Sequence, residues 1–189
     1  MDEIVYKTSF TKKELEGILK LQNENHYSNL SNEDIASEGF LTCTHNIELL
    51  TAFNNITPHI IAVSDNRVVA YLLAMTAMAE GEIPLLKPMF LEFEKVLINN
   101  KPVSDYNYLI VGQVCVGKGF RGQGVLEKCY RLYETIYKDR FDFAVTEIAM
   151  SNSRSLKAHL KLGFKEIRRY FSPDGKEWSI VLLNWGSIN

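Results

Sequence analysis

Residues 116–126 read Val116-Gly117-Lys118-Gly119-Phe120-Arg121-Gly122-Gln123-Gly124-Val125-Leu126, and the reading of the chain turns on this stretch. The apolar run Tyr108–Val116 precedes it, and Val125, Cys129, Leu132, Tyr133 and Ile136 follow at helical spacing, so the pattern predicts strand, glycine loop and helix in that order. Glycine lets the main chain approach a ligand closely. The first free amides of the helix point at that ligand with the positive end of the helix dipole. The predicted ligand is an anion.

Working outward, 141–150 is the next strand, and a right-handed crossover makes it parallel and adjacent to 108–116. The glycine loop then lies at the carboxyl ends of both strands, where open α/β sheets bind ligands. Gly112 interrupts its strand, which predicts a bulge or a close approach. Asn152 caps a helix through Leu162, Gly163 suits the left-handed position after it, and 164–171 and 177–184 form a hairpin around Ser172-Pro173-Asp174-Gly175. Upstream, 4–8 is a strand, and Thr11 with Glu14 makes a capping box for a helix to Gln22. Helical segments follow near 32–37 and 46–53. Strands at 59–63 and 68–77 are joined by Ser64-Asp65-Asn66-Arg67. Between Pro84 and Pro102, Leu86, Met89, Phe90, Phe93 and Leu97 recur at helical spacing. This predicts a helical insertion at 80–105, which covers the sheet or else serves as a lid or a homodimer contact.

At 189 residues, 46% hydrophobic and 23% charged, the chain reads as a single domain over 1–189 with one core. A net charge of −2 argues against a nucleic-acid partner or an anionic membrane surface. The acidic start Met1-Asp2-Glu3-Ile4 lacks the pattern of a signal peptide and no apolar run reaches bilayer length, so the expected location is cytoplasmic. Cys43, Cys115 and Cys129 are odd in number and show no metal-ligand spacing; they read as free buried thiols, and no metal site is expected.

Three known loop types compete for 116–126. A nucleotide triphosphatase loop needs GxxxxGK followed by Ser or Thr, an order that does not occur here. Gly117-Lys118-Gly119-Phe120-Arg121-Gly122 does match the letters GxGxxG, yet a dinucleotide fold opens with that unit, whereas here it comes late. A third pattern accounts for more residues. Arg121-Gly122-Gln123-Gly124-Val125 resembles the [Q/R]xxGx[G/A] pyrophosphate loop of the GNAT N-acetyltransferase superfamily. Asn152-Ser153-Arg154-Ser155 followed by Gly163-Phe164 is similar to that superfamily's next segment, N-x-x-[A/S] and then GF. The combination is more specific than either half.

The resemblance implies an α/β fold: a GNAT-type mixed sheet of about seven strands, flanked by helices, with splayed central parallel strands. It implies acetyl-coenzyme A as acyl donor, leaving coenzyme A as product, and a small-molecule or peptide amine as acceptor. By the same resemblance the main chain of Arg121, Gly122, Gln123, Gly124, Val125 and Leu126 holds the pyrophosphate, with Arg121 adding a charged contact. Val114, Cys115 and Val116 hold the pantetheine between the splayed strands and polarise the acetyl carbonyl. Asn152 and Ser155 complete the cofactor set.

Direct transfer to a neutral amine requires one proton to leave the ammonium and one to reach the thiolate. The family's tyrosine for the second task stands seven residues after the asparagine, and here that position is His159. Histidine, with an ordinary pKa of about 6.5, can protonate a thiolate, or it can simply hydrogen-bond the sulfur or adenylate region. Glu147 is the candidate base, acting directly or through water, or else a salt-bridged strand carboxylate. Leu126, where the family has Gly or Ala, is a second departure. Alternatives are a noncatalytic domain that senses acetyl-coenzyme A, and an acyltransferase with a longer acyl donor.

Overall fold

The structure, a computed structural model, describes residues 3–31, 33 and 40–186. Seven strands form a mixed sheet in the order β1-β2-β3-β6-β7-β9-β8, flanked by helices, and a separate ribbon pairs β4 with β5. The parallel pair β6 (Tyr108–Val116) and β7 (Phe143–Ala149) stands fourth and fifth in that order, as the crossover rule requires. Contacts divide the chain into two compact units, one of Met1–Met75 with Val111–Ile136 and one of Thr76–Ile110 with Tyr137–Asn189. Among the described residues no helix is long and apolar enough to cross a membrane.

In the first unit β1 (Val5–Thr8) pairs antiparallel with β2 (Ile60–Ser64), and β2 with β3 (Arg67–Met75). The β2–β3 turn is only two residues long, Asp65 and Asn66 at φ 48° and 58°, shorter than the four-residue connection the sequence predicts. Successive left-handed residues match the twist of a tight hairpin, and Asp and Asn tolerate that conformation. Helix α1 (Lys12–Glu24) starts at the predicted capping box, with Thr11 Oγ1 accepting from Glu14 N–H (3.3 Å) and Glu14 Oε2 accepting from Thr11 N–H (2.8 Å). Its Leu15, Ile18 and Leu21 pack with Ile61, Tyr71 and Cys115 in the unit's core. Helix α2 (Ile47–Ile56) is capped by Asn46. The segment predicted as helical near 32–37 lies, Glu33 apart, outside the described residues.

The second unit contains the predicted insertion. Helix α3 (Ala79–Glu82), a 3-10 turn at Pro84–Leu86 and α4 (Lys87–Phe93) lead to the ribbon of β4 (Leu97–Ile98) and β5 (Lys101–Pro102). The helical spacing that runs to Leu97 in the sequence therefore breaks at Phe93. Asn99 and Asn100, at φ 50° and 63°, turn the chain into a hairpin instead, and Leu97 is left exposed. Met89, Phe90 and Phe93 are buried, Phe93 meets Tyr108 edge-on at 5.2 Å, and Tyr108 stacks on Phe143 at 6.2 Å. The insertion covers the sheet and forms part of the unit's core.

The parallel ladder between β6 and β7 is short: Tyr108↔Phe143, Leu109↔Ala144 and Ile110↔Val145. Beyond it, β7 pairs antiparallel with β9 (Glu177–Asn184), and β9 with β8 (Lys165–Phe171). Helix α5 (Val125–Tyr137) buries Val125, Cys129, Tyr130 and Tyr133, while the predicted Leu132 and Ile136 are half-buried. Helix α6 (Ser153–Lys161) starts at Asn152 and ends before Gly163 at φ 96°.

Candidate active site

The loop that follows β6 is built from main-chain geometry. Gly117 N–H donates to the Val69 carbonyl (2.8 Å), and a 3-10 turn at Lys118–Phe120 leads to Gly122 and Gly124, at φ 73° and 76°. Most side-chain-bearing residues are strained at such angles. A Cβ built at Gly122 or Gly124 meets no atom within 4 Å, so the space above them is open. Lys128 N–H bonds back to the Gly124 carbonyl (3.1 Å), so Val125, Leu126 and Glu127 occupy the turn whose amides a helix leaves without intrahelical acceptors. Open left-handed glycines before unused amides suit an anion. Leu126 is half-buried, and its side chain leaves that amide in place.

Two side chains of this loop fold back onto the protein. Arg121 Nε donates to the Val116 carbonyl (2.8 Å) and its Nη2 to Asn25 Oδ1 (2.6 Å), while Asn25 Nδ2 donates to the Leu21 carbonyl (2.9 Å). The guanidinium thus braces the end of β6 against the end of α1. The expected charged contact with a ligand would come from this same guanidinium, whose planar fork carries five N–H donors. Gln123 Nε2 likewise folds back, onto the Gly119 carbonyl (2.8 Å).

Along the preceding strand, Val114 and Val116 are half-buried, whereas Cys115 packs in the core and burial pushes its thiol up to about 12. An unionised core thiol is no nucleophile. On the Cys115 face, Gln113 joins a network that sequence inspection misses. Its Oε1 accepts from Gln22 Nε2 (2.7 Å) and from Tyr71 Oη (2.6 Å), and its Nε2 donates to the Cys43 carbonyl (2.8 Å). Gln22 also bridges to His45, through Nε2 to Nδ1 (2.8 Å) and through Oε1 to the backbone N–H (2.8 Å). The only sequence signal was a glutamine inside each of two apolar patterns. A groove of about 710 Å³ in the same unit, between α1 and the β2–β3 hairpin, is lined by Lys20, Arg67, Val68 and Gly117–Phe120; it abuts the first half of the glycine loop.

The remaining candidates belong to the second unit. Asn152 Oδ1 caps α6 by accepting from Ser155 N–H (3.3 Å). His159 is 1% exposed; its Nδ1 donates to the Ser155 carbonyl (2.8 Å), its ring meets Phe164 edge-on at 5.1 Å, and burial lowers its pKa to about 4. A neutral core imidazole has no imidazolium proton to give a thiolate at neutral pH. At neutral pH its Nδ1 proton is committed to the Ser155 carbonyl.

Glu147 differs. It is half-buried on β7, burial pushes its carboxyl up to about 7, and it accepts a hydrogen bond from Tyr170 Oη on β8 (2.5 Å). That partner is a phenol, where a cation had been the alternative. Nearby, Arg168 of β8 donates from Nε to Glu92 of α4 (2.9 Å), which also receives Lys95 Nζ (2.6 Å). Tyr170 and Arg168 carry no motif in the sequence; only the strand register brings them to this face.

The profile of the Acetyltransferase (GNAT) family matches residues 18–164. No curated protein sequence matches. The solved NatC complex bound to Gag peptide and CoA is similar with a TM-score of 0.65 at 18% identity, over 96% of this chain and 98% of that one. NAA60 of Arabidopsis thaliana in complex with acetyl-CoA gives 0.66 at 9% identity, over 96% and 99%. Ard1 from Thermoplasma volcanium gives 0.63 at 11%, over 96% and 97%. These likenesses speak for the fold, whereas the profile spans most of the chain and takes in the glycine loop, Asn152 and Gly163-Phe164. The chain belongs to the GNAT acetyltransferase family.

Proposed function

We propose that the protein transfers an acetyl group from acetyl-coenzyme A directly to a primary amine. The observation that carries this reading is the pair of left-handed glycines, Gly122 and Gly124, with open space above them at the start of α5. A diphosphate suits such a site, since several aligned amides match its charge without a metal or a lysine. Main-chain groups of residues 121–126 would hold it, and those of Val114 to Val116 would align the pantetheine and polarise the acyl carbonyl. The coenzyme supplies an activated thioester. Solved relatives named as bound to CoA or acetyl-CoA support the choice of donor.

The chain's own contribution to the chemistry is a base. An amine is protonated at neutral pH and attacks only after losing that proton. Glu147, with a carboxyl titrating near 7, is ionised often enough to accept the proton and basic enough to hold it. The amine nitrogen would then form the C–N bond as the C–S bond breaks, the thiolate leaving with the electron pair and taking up the second proton that the acylated nitrogen releases.

Thiol release from acetyl-coenzyme A, measured over a panel of polyamines, peptides with free amino termini and lysine-bearing peptides, tests this reading. Amine-dependent release is expected, reduced at least tenfold in Glu147→Gln. Tight binding with no release across the panel would overturn catalysis in favour of a cofactor-sensing domain, and faster release from longer acyl donors would overturn the acetyl assignment.

A further inference from the structure

Strands β7, β9 and β8 set Glu147, Arg168 and Tyr170 on one face of the second unit. Glu147 and Arg168 both stand opposite Ile180 of β9, and Tyr170 stands opposite Trp178, two residues away. Opposed residues of an antiparallel pair share a face, and long side chains reach diagonal neighbours. Tyr170 thus spans an entire strand to place its hydroxyl on Glu147.

The surroundings determine what that hydroxyl can do. Tyr170 is 9% exposed, and burial together with the charges of Glu147, Glu92 and Asp174 drives its own ionisation far upward. The phenol keeps its proton and serves as a donor. The other charged groups facing this pair are matched among themselves: Glu92 by Arg168 and Lys95, and Asp174 by Lys176 (2.6 Å). Helix α6, packed on β7, contributes His159, which burial holds neutral. The hydrogen bond to Glu147 thus comes from a neutral donor, within reach of charges already balanced by others.

A carboxylate that must accept a proton needs a fixed direction and an unfilled lone pair. A cation would fix it but hold it ionised and weakly basic, whereas a neutral donor fixes one oxygen and leaves the other free. We propose that Tyr170 is the positioning residue for Glu147, holding its carboxylate across β9 in the orientation from which it takes the proton of the incoming amine. This rests on the reading of Glu147 as the base.

The test uses the full chain labelled with 13C at the glutamate carboxyls, the Glu147 resonance being assigned by its loss in Glu147→Gln. A hydrogen bond to the charged form favours that form, so Tyr170→Phe should move the Glu147 titration midpoint upward by roughly one pH unit. The acid limb of the thiol-release profile should move with it, and the plateau at high pH, where Glu147 is ionised in both proteins, should fall by about fivefold or more because the carboxylate is no longer held in place. A merely structural tyrosine would lower turnover at every pH and leave the midpoint in place, and that result overturns the proposal. Should the phenylalanine variant fail to fold, protein carrying 3-fluorotyrosine, a stronger donor, must show a lowered midpoint; an unmoved one overturns the proposal equally. Full turnover in Glu147→Gln would sink the base itself, a failure separate from an unmoved midpoint.

Discussion

Gly112 lies directly against the side chain of Met75: a Cβ built on Gly112 would come within 2.0 Å of Met75 Cε and 2.6 Å of its Sδ. The break in the central strand is therefore space for a buried methionine, itself 1% exposed. Gly112→Ala must displace that whole side chain inside a packed core, at a cost of about 1–3 kcal/mol. Urea denaturation measures it. In a Met75→Ala background the same substitution should cost much less, and an equal cost in both backgrounds would refute the contact.

At the glycine loop, Gly124→Asp puts a carboxylate into the open space at the start of α5, where it repels an anionic ligand. Affinity for acetyl-coenzyme A, measured by calorimetry, should fall at least tenfold. Gly119→Ala is the control, because a Cβ there meets nothing within 4 Å and the backbone is not left-handed. Unchanged affinity in Gly124→Asp would remove the loop from the cofactor site.

Acid should loosen the fold. His59 is 0% exposed, with Nδ1 accepting from Ala74 N–H (3.1 Å) and Nε2 donating to the Leu50 carbonyl (3.2 Å). His45, His59 and His159 are all lowered from 6.5 to about 4, chiefly by burial. Unfolded histidines bind protons at about 6.5, so this stability is complete above that pH and falls as pH drops towards 4, by up to about 3 kcal/mol per histidine. Glu147, raised by burial, works the other way in nearly the same window, because its neutral form is the one favoured in the fold. The net effect should be a urea midpoint clearly lower at pH 5 than at pH 7.5. Equal midpoints would contradict the neutral histidines, and His159→Phe should flatten the dependence while preserving turnover at pH 7.5.

Replacing Gln113 by Leu should be costly. It strands the donors of Gln22 and Tyr71 and releases the Cys43 carbonyl, at about 1–3 kcal/mol for each buried group left unsatisfied. Adding Tyr71→Phe removes one stranded donor and should recover part of the loss in thermal denaturation. A double variant less stable than Gln113→Leu alone would argue against this account.

The strand, glycine loop and helix were legible because their signals are local: apolar run, small residues and helical spacing within thirty positions or so. The same holds for the Thr11–Glu14 box and the Asn152 cap. Other features depend on partners far along the chain. Arg121 finds Asn25 from 96 residues away, and Tyr170 reaches Glu147 over an intervening strand whose register no motif encodes. His159 sits at a position where a family pattern suggests chemistry, whereas its burial is a property of the packed unit that the motif does not carry. The end of the insertion helix did carry a signal, the pair Asn99-Asn100 shortly before Pro102, which the stronger helical spacing of its neighbours obscured.

Phe93 under Tyr108, and Glu92 joined to Arg168, make the segment from α3 to β5 part of what holds its unit together. It is therefore no exchangeable cassette. Anyone grafting a different segment onto this scaffold would have to carry along an aromatic plug for Tyr108 and a carboxylate for Arg168, or redesign the sheet beneath them.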